Sequence, residues 1–65
     1  MRVNFVKSDG EIAHSVDMPC APHTGDGVFV GVLHYSIERI RHMFEPTGRG
    51  GNYTYTVEAL VEKVK

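Results

Sequence analysis

Tyr35-Ser36-Ile37-Glu38-Arg39-Ile40-Arg41-His42-Met43-Phe44 is the stretch on which the fold turns, because its pattern admits two readings. Leu33, Ile37, Ile40 and Phe44 fall at offsets of four, seven and eleven, the apolar stripe of a helix. Ser36 offers an N-cap for such a helix. The downstream sequence argues against it. Thr47 to Asn52 (TGRGGN) is a flexible turn, and beyond it Tyr53, Tyr55, Val57, Ala59 and Val61 alternate with Thr54, Thr56, Glu58 and Leu60. That period of two marks a strand. A glycine-rich turn joining two segments of matching length is how a long hairpin is built. A β-bulge near Glu38-Arg39 brings Ile37 and Ile40 to one face without a helix. The segment is therefore read as strand, with a β-rich α+β chain carrying one short helix at 36–45 as the alternative.

Upstream, turn residues cut the chain into short pieces. Arg2 to Lys7 carries Val3, Phe5 and Val6 and ends at Ser8-Asp9-Gly10, good turn chemistry. Ile12, His14, Val16 and Met18 then alternate with polar or small residues, so the two segments read as a hairpin. Pro19 to Gly27 (PCAPHTGDG) is the main loop, and a short third strand, Val28-Phe29-Val30, comes after it and breaks at Gly31. Five short strands in so small a chain predict an all-β fold, a small five-stranded barrel that limits exposed edges. The expected core is Val3, Phe5, Ile12, Val16, Val28, Val30, Ile37, Ile40, Val57 and Ala59.

Sixty-five residues make a single domain, 1–65. A chain this short buries only about 60% of the surface its unfolded form exposes, so its stability is thin. The one cysteine, Cys20, permits no intrachain disulfide, and none of the four histidines forms a close zinc-type pair with it or with another. Self-association into a homo-oligomer is the expected staple. The formal charge of −1, from seven basic and eight acidic residues, supplies no general field for nucleic acid or an anionic membrane. The apolar run from Val28 to Leu33 is far shorter than a membrane span. A cytoplasmic protein without a cofactor is expected.

The order of a short N-terminal hairpin, then Pro22-His23-Thr24-Gly25-Asp26-Gly27-Val28, then Tyr35-Ser36-Ile37 and a closing strand resembles the small SH3-like β-barrel proteins encoded by bacteriophages and prophages. In those proteins a Pro-x-x-Gly-Asp-x-Val stretch leads into the third strand. The resemblance implies an accessory protein of the host cytosol that binds and inhibits a host defence or regulatory protein. It carries no catalytic residues across. The glycine-rich turn at Gly48 to Gly51 and the cysteine in the loop depart from the pattern.

Residue type and place define the candidate sites. Cys20, His23 and Asp26 share one loop, the raw material of a thiol nucleophile, but so small a barrel has little interior for a water-excluding pocket. No enzyme activity is expected, and Cys20 reads as a partly buried filler. His34 and His42 would share a strand face as metal ligands only without a bulge between them; no metal site is expected. Phe29, Met43 and Phe44 are surplus to a core already filled, and with Arg41 and Arg49 they form the expected partner-binding set, since adjacent exposed apolar groups mark an interface. The alternative is nucleotide or single-stranded nucleic-acid binding. Arg39, Arg41 and Arg49 with Tyr53 and Tyr55 opposite would form a basic, base-stacking groove. Thr24, Gly25 and Asp26, with Arg39 and Arg49, would form an anion nest.

Overall fold

The computed structural model describes residues 1–48 and 50–64. Five strands, β1 (Arg2–Val6), β2 (Ile12–Asp17), β3 (Gly27–Val30), β4 (Leu33–Pro46) and β5 (Tyr53–Lys63), form one sheet in the order β2-β1-β5-β4-β3. β1 runs parallel to β5 and every other neighbouring pair is antiparallel. The sheet curls into a half-barrel, consistent with a small SH3-like barrel, and leaves β2 and β3 as edges that do not pair with each other.

The turns explain why the chain reverses where it does. The Lys7 carbonyl accepts a hydrogen bond from the Gly10 amide at 2.9 Å, and the Asp9 carboxylate accepts one from the Glu11 amide at 2.8 Å. Between β3 and β4 only Gly31 and Val32 intervene. Gly31 takes φ +64, as the first central position of a type II′ hairpin requires. Gly31→Ala is expected to cost about 1–2 kcal/mol, the penalty of a side chain in the left-handed region. A urea-denaturation midpoint that drops without a change of slope would show it.

β4 is strand throughout, so the helix alternative at 36–45 does not hold. Its ladder with β5 runs from Tyr35↔Lys63 to Pro46↔Tyr53 and slips once, where Ile37 faces Val61 and Arg39 faces Leu60. Glu38 is the extra residue. This bulge turns Ile37 and Ile40 to the same face despite their odd spacing. The helical stripe was the trace of a bulged strand.

The core is one cluster on the concave face: Val3, Phe5, Tyr35, Ile37, Val57, Ala59 and Val61, with Val16, Val28, Val30 and Ile40 partly buried against it. Ile12, expected inside, is 52% exposed. The reason is a second bulge: Phe5 pairs with His14 but Val6 pairs with Ile12, which makes Ala13 the extra residue of β2. Paired residues share a face, so Ile12 joins Val6 on the outer side and Ala13 takes the inner position against the core. Val6, Tyr35 and Val61 are also buried, although the expected core did not include them.

Candidate interaction surface

The β4–β5 ribbon outruns the rest of the sheet. β1 covers β5 only from Thr56 to Leu60, whereas the β4–β5 ladder continues through Tyr55, Thr54 and Tyr53. The rungs Ile40↔Ala59, His42↔Val57, Phe44↔Tyr55 and Pro46↔Tyr53 carry the core face outward, since side chains two apart along a strand share a face. Where β1 stops, that face becomes aromatic. Phe44 stacks on Tyr55 with ring centroids 4.7 Å apart and planes 15° from parallel. His42 stacks on the same tyrosine at 5.9 Å and 6°, and its Nδ1 shares a 2.7 Å hydrogen bond with the Tyr55 hydroxyl. Tyr53 meets Phe44 edge-on at 5.3 Å and 79°.

An isolated two-stranded ribbon is marginal in water. Each aromatic pair contributes about 0.5–1.5 kcal/mol beyond area burial, so the rings hold the projecting ribbon together. They also remain available: Phe44 is 58% and Tyr53 61% exposed. Because His42, Tyr55 and Phe44 turn their ring faces toward one another, the comb offers a partner mainly ring edges, a hydroxyl and the apolar flank of Pro46.

The opposite face of the ribbon is a different surface. Arg39, Arg41 and Met43 lie there, paired across the ladder with Leu60, Glu58 and Thr56. The Arg41 guanidinium donates to the Glu58 carboxylate at 2.8 Å. Basic residues and tyrosines are thus on opposite sides of the sheet, and the described residues assemble no basic, base-stacking groove. Arg49, assigned to both candidate sets, lies outside the described residues.

The Thr24-Gly25-Asp26 loop is occupied with its own bonding. Gly25, at φ +93, sits third in a tight turn closed by the Asp26 amide donating to the His23 carbonyl at 3.1 Å. The Gly25 amide donates to the Ile37 carbonyl at 2.8 Å, the Ile37 amide to the Asp26 carbonyl at 2.9 Å, and the His23 amide to the Asp26 carboxylate at 3.0 Å. Amides that an anion nest would aim outward are consumed within the chain. The loop latches the start of β3 to β4 beside the Glu38 bulge.

Of the expected partner-binding residues that the structure describes, only Phe44 joins the comb. Arg41 and Met43 share the reverse face. Phe29, 70% exposed, stacks on His34 at 4.4 Å near the other end of β4, roughly 33 Å of extended strand from Phe44. His42, Tyr53 and Tyr55 were missed as its companions, although the alternation His42/Phe44 facing Tyr53/Tyr55 across the turn carries the signal. His34 and His42 fall on opposite faces because of the bulge, and no group of three or more metal-binding side chains occurs among the described residues. Cys20 is exposed, not partly buried.

A second feature lies in the opening of the half-barrel. A groove of about 500 Å³ lies between β2, β3 and the loop that joins them, over Phe5, Val16, Met18, Val28 and Ile37. Comparison with protein-family models, with curated proteins and with solved structures finds no match.

Proposed function

We propose that the chain is a non-enzymatic protein-binding module, an accessory protein of the phage or prophage kind, which engages and inhibits a host protein through the aromatic face of the β4–β5 ribbon. One observation carries this reading: four rings, His42, Phe44, Tyr53 and Tyr55, pack together, three stacked and Tyr53 edge-on, on a ribbon that projects past the core, with two of them more than half exposed. Aromatic side chains are enriched at protein interfaces, and tyrosine is among the residues that most often anchor them. The core cluster, against which Tyr55 packs, gains nothing from the exposed Phe44 and Tyr53 rings beyond it. A partner does.

Side-by-side affinity capture from a bacterial host lysate, with the wild-type chain and Phe44→Ala as baits, tests the proposal. A protein held by the first bait and lost from the second supports it. Identical captures would sink it.

A further inference from the structure

The two edges of the half-barrel face its groove with unpaired backbone. On β2, Met1 and Met18 exchange both bonds, amine to carbonyl at 2.7 Å and amide to carbonyl at 2.8 Å. Antiparallel ladders alternate bonded and non-bonded pairs. Val3/Val16 and Phe5/His14 are therefore the next bonded pairs, and the N–H and C=O of Ser15 and Asp17 point away from β1. On β3 the same logic applies. The His34 carbonyl accepts from the Val64 amide at 2.8 Å, so it points toward β5 and the Phe29/His34 pair is non-bonded. The backbone groups of Phe29 and Gly27 accordingly point away from β4.

Edge strands are normally blunted by charge, proline or a bulge. The free edge of β4 beyond β3 has all three, in Arg39, Arg41, Glu45, Pro46 and the Glu38 bulge. β3, Gly-Val-Phe-Val, has no charge and no proline.

We infer that the gap between β2 and β3 is a docking site for one extended strand of a partner protein, which enters as a sixth strand and closes the barrel. The occupant is fixed by what the gap lacks. It must bring backbone donors and acceptors for Ser15, Asp17, Gly27 and Phe29, and apolar side chains at alternate positions for the floor of Phe5, Val16 and Ile37. An extended peptide does both, whereas a helix has already spent its backbone groups on itself. Among its described residues a second copy of the chain has no single strand to insert: its β2 and β3 are the walls of an identical gap, and its projecting ribbon is two strands wide. β2 and β3 run in opposite directions, so the incoming strand is antiparallel to one and parallel to the other. The site is separate from the aromatic ribbon.

A bead-displayed library of random twelve-residue peptides is the probe, with binding of the enriched peptide measured by calorimetry against three chains. Phe29→Pro removes an outward N–H while leaving the β3–β4 ladder intact, since proline is tolerated on a free edge. Phe29→Ala removes the ring and keeps the N–H. The enriched sequences should alternate apolar and polar residues, with affinity reduced about tenfold or more by Phe29→Pro and nearly unchanged by Phe29→Ala. Methylating alternate amides of the peptide should abolish binding to the wild-type chain, which gives the same readout should Phe29→Pro fail to fold. Failure to enrich any peptide, or binding indifferent to peptide methylation, would overturn the inference. Phe44→Ala should bind the peptide as the wild type does, so the outcome is independent of the ribbon proposal.

Discussion

Phe44→Ala combined with Tyr53→Ala is expected to weaken partner binding about 100-fold or more, the sum of two anchors each worth about 2 kcal/mol or somewhat less, while the fold survives. The asymmetry comes from position. Both rings are more than half exposed, so their loss opens no cavity in the core. Their removal strips the comb of its outer half and leaves only His42 and Tyr55 stacked at 5.9 Å. Tyr53→Phe keeps the ring and should bind almost as the wild type. Arg41→Ala, on the reverse face, should do the same, because an exposed ion pair such as Arg41–Glu58 is worth little. Calorimetric titration of the captured partner against these variants separates the two faces of the ribbon: equal losses on both would mean that the rings are not the anchor.

Ile37→Ala is expected to be the most damaging single substitution for stability. Ile37 is 1% exposed and among the largest side chains fully buried. Truncating such a residue costs about 2–5 kcal/mol through lost transfer energy and the cavity left behind. A domain of this length has about 3–10 kcal/mol in total. The position also adjoins the Glu38 bulge, and the Ile37 amide and carbonyl bind the 25–26 segment, so the side chain and the loop latch are lost together if the strand shifts. Each kcal/mol moves the midpoint of a domain this small by about 4–8 °C, and thermal melts should show a fall of about 10 °C or more. Ile40→Ala, only partly buried, should fall less. Equal effects would mean that depth of burial does not set the two positions apart as described.

The bulge in β4 was legible because Ile37 and Ile40, three apart, had to reach one face of a strand whose length matched β5. The bulge in β2 was not. Ala13 is small and apolar, so the alternation Ile12, His14, Val16 looked unbroken, and only the pairing of Val6 with Ile12 shows where the face changes. The aromatic comb was half legible. Phe44 stood out as surplus, but its companions depend on counting register back across the Thr47–Asn52 turn, and a shift of one residue would have moved them to the other face. That same register separates Arg39 and Arg41 from the tyrosines that a nucleic-acid groove would need. Bonds made by backbone amides leave no mark on sequence at all, which is why Thr24-Gly25-Asp26 suggested an anion nest and proved to be a latch.

Whether the stacked rings of the β4–β5 ribbon are the surface a partner covers is tested most directly by hydrogen–deuterium exchange of the chain, alone and with its captured partner bound. Added protection across residues 42–46 and 53–57 in the complex is the expected result. A complex in which those amides exchange as fast as in the free chain would contradict it.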